Sequence, residues 1–240
     1  MSGHSKWSTI KRKKEKTDQQ RAKVFTKIGR ELAVTVKQGG PDPNVNSKLK
    51  DVIAKAKANN YPQDNIDRII KKAAGADDNN NYEEIVYEGY GPCGVAVVVE
   101  TLTDNRNRTA GDLRHYFDKS GGNMGQNGSV MFMFSRKGVI TVDAESVDED
   151  TCLETALDNG ADDFSTEEDI YEILCGANDL GKVNDALSAI GAKILTCEVA
   201  YLPTTTTTSL DEEAAVKMEK LIDMLEENDD VQGVWHNWEE

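Results

Sequence analysis

The sequence predicts an α+β protein built from several domains, and three observations carry this prediction. From residue 25 to residue 75, apolar residues recur every three or four positions, which is the period of amphipathic helices. From residue 82 onwards, short β-rich runs alternate with helical segments and are separated by Gly and Pro. The polar break ADDNNN, residues 76–81, separates the two parts, and 240 residues have room for two or three small domains.

Three helices are predicted in the first part. The first carries a regular apolar side and stops at a glycine pair: Phe25, Ile28, Leu32 and Val36, then Gly39 and Gly40. The second has the same period in Val45, Leu49, Val52, Ile53 and Ala56. The third starts near Pro62 and ends before Gly75, with Ile66, Ile69, Ile70 and Ala73 on its apolar side. Three short helices with short links predict a small helical bundle.

The next segments predict strands around one helix. YEEIVYEGY and VAVVVETLT flank the turn signal GPCG and are typical of a hairpin. A helix follows DNRNRT, with Ala110, Leu113 and Phe117 on its apolar side. It ends at the glycine pair Gly121 and Gly122. After the Gly-rich stretch GGNMGQNGS, the run VMFMFS predicts another strand.

From about residue 137 the predicted order is β-α-β-β-α-β, which is the ferredoxin-like arrangement. The predicted strands are GVITV, a strand near residues 162–165, IYEILC and KILTCEVAYL. The predicted helices have apolar sides formed by Leu153 and Leu157, and by Val183, Leu187 and Ile190.

The C-terminal segment predicts a helix and a strand. The connector PTTTTTS is followed by a capping box at Ser209 and Glu212, and then by a helix with an apolar side of Ala214, Met218, Leu221 and Leu225. VQGVWHNW predicts the last strand. Because the middle region has few elements by residue 135, we expect this helix and strand to return and complete it. The predicted domains are a basic arm and helical domain at 1–76, a middle α+β domain at 77–136 plus 204–240, and an inserted ferredoxin-like domain at 137–203.

Charge is divided unevenly along the chain. Residues 1–75 carry 18 Lys and Arg against 7 Asp and Glu, whereas residues 76–240 carry 10 against 36, within a net charge of −15. A basic segment on an acidic chain indicates a polyanionic partner, and nucleic acid before a metabolite. The alternative is a solvated helical face that is rich in lysine.

Other classes of protein find little support. No stretch approaches the roughly 18 apolar residues of a membrane span, and the opening MSGHSKW lacks the apolar run of a signal peptide, so we expect a cytoplasmic protein. The cysteines form no C-x-x-C pair and are expected to be core residues: Cys93, Cys152, Cys175 and Cys197. The histidines are scattered, so their local spacing predicts no metal cluster: His4, His115 and His236. No nucleophile–base grouping predicts an enzyme.

Six segments, spread over essentially the whole chain, carry a resemblance: GHSKW, KVFTKIGREL, GGPDPNVNSKL, YEGYGPCGVAVVVETLTDNRNRT, GGNMGQNGSV and LIDMLEENDDVQGVWHN. Together they resemble the YebC/PmpR family. The resemblance implies the same three-domain architecture and a cytoplasmic regulator of gene expression without a known cofactor. For bacterial members it implies a DNA-binding transcriptional regulator, or a factor linked to ribosomes stalled at proline-rich sequences. For mitochondrial relatives it implies a translational activator.

The N-terminal arm is the first candidate site for nucleic acid. It combines six basic residues with one aromatic residue: Lys6, Lys11, Arg12, Lys13, Lys14 and Lys16, with Trp7. Basic side chains neutralise phosphates and release counterions, and an indole stacks on an unpaired base for about 1 to 3 kcal/mol. Alternatively, Trp7 anchors the arm on the helical bundle. Compared with the typical family form, this arm is richer in Lys and poorer in His and Ala.

The first helix continues the positive charge with Arg21, Lys23, Lys27 and Arg30. The last three follow three- and four-residue steps and are therefore predicted to form one stripe. The alternative is an ordinary solvated helix face. No helix-turn-helix signature identifies a base-reading helix, and the acidic remainder would repel a duplex laid across the molecule.

A second candidate site lies in DNRNRT, at the junction of a strand and a helix. Arg106 and Arg108 lie near a predicted helix N-terminus, where backbone N–H groups also favour an anion, so a phosphate or a partner's carboxylate could bind. In the alternative, Asp104, Asn105 or Asn107 caps the helix and the arginines pair internally.

The Gly-rich segment GGNMGQNGS lacks the G-K-[ST] ending of a phosphate-binding loop, so we interpret it as a turn before a strand. The family resemblance makes this segment and DNRNR candidates for a joint surface.

Three functions follow from these features: a regulator that binds promoter DNA, a translation factor that binds ribosomal RNA, and an adaptor whose basic helices bind an acidic protein. An aromatic residue among lysines, without a groove-reading helix, favours RNA.

Overall fold

The computed structural model describes residues 18–75, 82–167, 169–207 and 210–239, and side chains from residue 22 onwards. Within these ranges the chain forms seven α-helices and two four-stranded sheets, so the predicted α+β fold class is confirmed. The helices are α1 (Asp18–Gly39), α2 (Ser47–Ala58), α3 (Gln63–Gly75), α4 (Arg106–Lys119), α5 (Glu149–Asp158), α6 (Leu180–Ala189) and α7 (Glu212–Glu227). The strands are β1 (Glu83–Tyr90), β2 (Ala96–Thr103), β3 (Asn123–Met124), β4 (Phe134–Asp143), β5 (Ala161–Glu167), β6 (Ile170–Gly176), β7 (Ile194–Pro203) and β8 (Val231–His236).

The first three helices pack around one apolar core, as their periodicity predicts. The buried members of this core are Ile28, Leu32, Val36, Leu49, Val52, Ala56 and Ile66. Val45 was expected on the apolar side of the second helix, but it is 79% exposed. Helix α2 begins only at Ser47, so Val45 lies in the preceding turn and has no helix face to share.

Asn46 holds the link between α1 and α2 together. Its side-chain oxygen accepts a hydrogen bond from the N–H of Leu49, which caps α2. Its side-chain amide donates to the carbonyl oxygens of Thr35 and Gly40 at 3.0 and 2.8 Å. A Cβ on Gly39 would lie 2.6 Å from the same amide nitrogen, and Gly40 has a φ of +87°. The glycine pair is therefore needed both to end α1 and to admit Asn46.

The first sheet has the strand order β3-β1-β2-β8. Strands β1 and β2 form the predicted hairpin, and β8 pairs antiparallel with β2, so the end of the chain returns to this sheet as expected. Helices α4 and α7 cover one face through Leu113, Phe117, Met218 and Leu221, among others. The opposite face packs Ala96 and Val98 against Val130 and Phe134.

The second sheet has the order β5-β6-β4-β7, with α5 and α6 between its strands in the chain. This order is the ferredoxin-like arrangement that the sequence predicted. Its core buries Ile140, Val142, Ile173, Val183 and Leu187. Two of the predicted apolar helix residues are exposed. Leu157 is 50% exposed because the buried side of α5 is formed by Cys152 and Ala156. Ile190 is 36% exposed because α6 ends at Ala189.

Several local predictions were wrong. VMFMFS was expected to form its own strand, but residues 131–133 form a short 3₁₀ turn, and one strand, β4, runs from Phe134 to Asp143. Cys93 was expected in a core, yet it is exposed in the hairpin turn with a φ of +55°. Helix α7 is capped by Asp211, which accepts from the N–H of Ala214, so Glu212 is the first helical residue and not the third, where a capping box would place it. Ser209 lies outside the described residues.

The described chain separates into two compact units. One contains residues 82–135 and 201–239, and the other contains residues 18–75 and 136–200. Within the second unit, α2 packs on α6: Lys50 forms an ion pair with Asp185, while Ala54 and Ala58 pack against the ferredoxin-like core. The three domain bounds given above stay a prediction.

Candidate nucleic-acid interface

The predicted arm residues Lys6, Trp7, Lys11, Arg12, Lys13, Lys14 and Lys16 lie outside the described residues. The backbone of Arg21 belongs to α1, but its side chain lies outside the part of the chain that the structure describes. The structure therefore describes only the part of the basic region that begins with the second turn of α1.

Three candidate residues, Lys23, Lys27 and Arg30, follow one side of α1, as their spacing predicts. All three are half-buried. Val34 continues the same side one turn further and is 6% exposed, so this side of the helix is partly covered. The stripe can therefore present charge only with its outer atoms, since the apolar stems of such side chains pack while their heads stay in water.

Further basic residues on α2 and α3 were missed by the sequence analysis. Among the described residues of the bundle, the exposed cations outside the predicted stripe include Lys48, Lys57, Arg68, Lys71 and Lys72. Lys55 differs from them because it donates to Glu31 at 2.8 Å, and both side chains are only about one-fifth exposed. The total charge was visible in the sequence, but which lysines share a surface depends on how the helices pack.

The DNRNRT junction is an internally paired helix start. Asn105 caps α4 by accepting from the N–H of Arg108. The guanidinium of Arg108 donates to Asp104 at 2.9 Å and to Asp230 at 2.6 Å. Arg106 is exposed, and its carbonyl oxygen accepts a 3.4 Å hydrogen bond from the hydroxyl of Tyr87. The anion site at Arg106 and Arg108 therefore stays a prediction. Any anion that binds there meets an Arg108 guanidinium that two carboxylates already contact.

Asp230 is the central acceptor of this network. It is 5% exposed and also accepts hydrogen bonds from the hydroxyls of Thr109 and Thr103, at 2.7 and 3.2 Å. Burial alone would raise the pKa of Asp230, but the hydrogen bonds from Arg108 and the threonines outweigh it and hold the pKa below its usual value. The same contacts raise the pKa of the Arg108 guanidinium.

Glu88 organises the Gly-rich segment. This buried side chain accepts hydrogen bonds from the backbone N–H groups of Gly128, Val130 and Met131, at 2.6 to 2.8 Å. Burial acts to raise the pKa of Glu88, yet the three N–H donors lower it overall. The end of this segment is therefore turned around a carboxylate, and the three backbone N–H groups that contact Glu88 are already used.

The two candidate segments of the proposed joint surface lie at opposite ends of β1. Glu83 pairs with Thr103 at the DNRNR end, whereas Gly89 and Tyr90 pair with β3 of the Gly-rich segment. The six residue steps from Glu83 to Gly89 separate the two places by about 20 Å. One small ligand cannot contact both segments, although a macromolecule could.

The described residues offer little for metal or thiol chemistry. Burial raises the pKa of Cys152 and of Cys175 to about 11, so both thiols are protonated near neutral pH. Within the described ranges, no group of three or more His, Cys, Asp or Glu side chains could hold a metal ion. No helix in these ranges is both long and apolar enough to cross a membrane.

A basic helical bundle and two antiparallel sheets, one of them ferredoxin-like, define a multidomain α+β protein with its cations concentrated on one domain. The chain belongs to the TACO1/YebC family. Residues 5–76 match the family's N-terminal domain, and residues 82–238 match its second and third domain. The resemblance to the YebC/PmpR family is therefore confirmed.

Relatives and a solved structure agree with this assignment. A protein of Acetivibrio thermocellus is 59% identical over 239 residues and 99% of both chains, and one of Caldicellulosiruptor saccharolyticus is 58% identical over 241 residues, spanning all of this chain and 99% of its own. Both carry the name "probable transcriptional regulatory protein". The crystal structure of the conserved hypothetical protein Aq1575 from Aquifex aeolicus is 44% identical, with a TM-score of 0.82 over 93% of this chain and 92% of that one.

Proposed function

We propose that this protein is a non-enzymatic regulator of gene expression that works in the cytoplasm and binds nucleic acid through its basic N-terminal region. The observation that carries the proposal is the division of charge: the first 75 residues hold 18 of the 28 Lys and Arg residues and only 7 of the 43 Asp and Glu residues. The helical bundle presents a share of these cations on α1, α2 and α3. The remainder of the chain is strongly acidic.

This division limits where a polyanion can bind. Each phosphate that a Lys or Arg neutralises releases counterions. The affinity of a protein with about 6 to 10 such contacts therefore falls by a factor of about 10³ to 10⁵ when the salt concentration rises from about 50 to about 200 mM. The acidic sheets repel phosphates, so contact concentrates on the arm and on α1. We therefore expect a compact footprint with steep salt dependence.

Duplex DNA is the first candidate target, because the relatives at 58 and 59% identity are named as probable transcriptional regulators. Lys6, Lys11, Arg12, Lys13, Lys14 and Lys16 would then neutralise backbone phosphates, and Lys23, Lys27 and Arg30 would extend the contact. Phosphate contacts position a protein on DNA without reading its sequence. Sequence selection would need base contacts in addition to these phosphate contacts.

Ribosomal RNA is the second candidate, in which case the protein assists translation at stalled, proline-rich sequences. The specific observation in its favour is Trp7 among the arm lysines. Sequence-specific RNA recognition uses unpaired bases that stack on aromatic side chains, whereas duplex DNA keeps its bases stacked. An adaptor function, with the basic helices on an acidic protein, is the third candidate.

The test is a titration of the full-length protein against purified ribosomes and against duplex DNA from its own genome, at several salt concentrations near physiological. Saturable ribosome binding with weak, steeply salt-dependent DNA binding would indicate a translation factor. Sequence-selective DNA binding that persists at physiological salt would indicate a transcriptional regulator. Absence of binding to both, with a partner protein retained after nuclease treatment, would overturn the proposal in favour of the adaptor.

A further inference from the structure

A groove of about 420 Å³ lies between α2 and α3 of the basic domain. Half of its lining residues are apolar: Pro41 and Pro43 in the link after α1, Ile53 on α2 and Ile70 on α3. The volume falls within the range of about 300 to 1,000 Å³ that is typical of small-molecule sites. Apolar side chains of this kind can pack against an unpaired base, which proteins commonly stack between aromatic or apolar side chains.

Two lysines mark this groove as a site for an anion. Lys57 lies in the last turn of α2 and Lys71 near the end of α3, and both line the groove with exposed side chains. They come from different helices, and both contribute to the lining of the groove. In a domain whose first 75 residues carry an excess of 11 positive charges, this arrangement is complementary to a phosphodiester backbone.

The polar part of the groove presents hydrogen-bond acceptors. The side-chain amide of Gln63 donates to one carboxylate oxygen of Asp67 at 2.8 Å. This contact uses one N–H of Gln63 and one oxygen of Asp67, so the side-chain oxygen of Gln63 and the second oxygen of Asp67 remain able to accept, beside the second N–H of Gln63. An acceptor pair suits a base with an exocyclic amino group, as in the pairing of Asp with the N4 amine of cytosine. Uracil has no amino group, and its single ring N–H lies between two carbonyl oxygens, which a carboxylate repels.

We infer that the groove between α2 and α3 binds an unpaired, amino-bearing base of single-stranded nucleic acid. Lys57 and Lys71 contact its phosphates, while Asp67 and Gln63 accept hydrogen bonds from the base. A base inside a duplex cannot enter such a groove without being extruded, so the site selects single strands, loops or ends. This inference rests on the proposed function, and it adds a recognition site on α2 and α3 to the arm and α1.

The test measures binding of fluorescently labelled twelve-nucleotide oligo(A), oligo(C) and oligo(U) RNA to the full chain by anisotropy. The wild-type protein is expected to bind oligo(C) and oligo(A) several-fold more tightly than oligo(U). Asp67→Asn should bring the three affinities within about twofold, because the amide adds a donor to the acceptor pair. The matched control is Asp64→Asn, which removes an exposed carboxylate from the same helix outside the groove.

The double variant Lys57→Gln/Lys71→Gln should weaken all three oligonucleotides about tenfold or more. It should also reduce the slope of log affinity against log salt by about 1.4, since each phosphate contact on a single strand contributes roughly 0.7. Lys72→Gln, at an exposed lysine beside the groove, controls for a general loss of charge. Melting curves confirm that each variant is folded.

The outcomes separate the two proposals. Equal binding of the three oligonucleotides by the wild type, or identical behaviour of Asp67→Asn and Asp64→Asn, would overturn the groove inference. If ribosomes or DNA still bind in that case, the proposed function stands without the groove. If the wild type binds no nucleic acid at all, both proposals fail. Loss of a protein partner in the double lysine variant, with unchanged oligonucleotide binding, would assign the groove to a protein.

Discussion

Asp230 and Arg108 meet through a 2.6 Å ion pair, although they are 122 residues apart in the sequence. Arg108 lies in the first turn of α4, and Asp230 directly precedes β8. The backbone of Asp230 also accepts a hydrogen bond from the N–H of Leu102 at 2.7 Å. The ion pair therefore links the start of β8 to the junction between β2 and α4.

The first prediction concerns this pair. Asp230→Asn removes the charged acceptor of Thr103 and Thr109 and leaves Arg108 paired with Asp104 alone, and it should lower the free energy of unfolding by about 2 to 3 kcal/mol. Because the pKa of Asp230 is lowered in the folded state, its contribution is present above the unfolded pKa and is lost as pH falls through the folded value. Urea unfolding at pH 7 and below pH 4 measures both effects. Asp223→Asn, at an exposed acid on α7, is the control, and equal loss in both variants would contradict the assignment.

The second prediction concerns Glu88. Glu88→Gln replaces an oxygen acceptor with an amide donor that faces the N–H groups of Gly128, Val130 and Met131, so at least one N–H loses its partner. We expect a loss of about 2 to 4 kcal/mol in the free energy of unfolding and faster hydrogen exchange at these three amides. Because the pKa of Glu88 is lowered, the stabilisation fades as pH falls below the ordinary value for Glu. Glu83→Gln, on an exposed position of β1, should leave the exchange unchanged.

The third prediction is a stabilising substitution at Asp51, where α2 packs on α6. Burial raises the pKa of Asp51 to about 6, and Asp185 adds to it, although Lys50 and Arg136 act in the opposite direction. A raised carboxyl pKa means that the ionised form is disfavoured in the folded state, so this group destabilises the fold increasingly as pH rises from about 4 to about 6.

Asp51→Asn should therefore raise the midpoint of thermal unfolding at pH 7.5, with a gain in stability of the order of 1 to 2 kcal/mol. The gain should vanish below pH 4, where both proteins are neutral at this position. Differential scanning calorimetry across this pH range measures the change. A gain that is independent of pH would show that packing, and not ionisation, is responsible.

The fourth prediction concerns the arm. Reversing Lys11, Arg12, Lys13 and Lys14 to Glu should abolish polyanion binding while leaving the melting curve unchanged, because repulsion replaces counterion release. Filter binding with ribosomes and with duplex DNA measures the loss. Lys182→Glu/Lys220→Glu, at two exposed lysines of the sheet-bearing domains, is the matched control. Retained affinity in the arm variant, together with normal melting, would reject the arm as a binding site.

The helices, the hairpin and the ferredoxin-like order could be predicted because each follows a local period of apolar residues. The extent of β4 could not, since Phe132 looks like a strand residue but is 74% exposed in a tight turn. Glu88 and Asp230 were missed for another reason. In the sequence Glu88 resembles Glu84, and Asp230 resembles Asp229. Only the tertiary fold decides which carboxylate is buried against N–H or guanidinium donors.

The position of β8 has a consequence for protein synthesis. Strand β2 ends at Thr103, but its partner β8 begins at Val231, so one side of β2 has no strand beside it until the ribosome has added about 130 more residues. At 5 to 20 residues per second this takes roughly 6 to 25 seconds. During that interval the nascent chain carries an open, valine-rich strand edge, which is a site for wrong pairing and for chaperone binding. The finished fold closes that edge only after β8 has been translated.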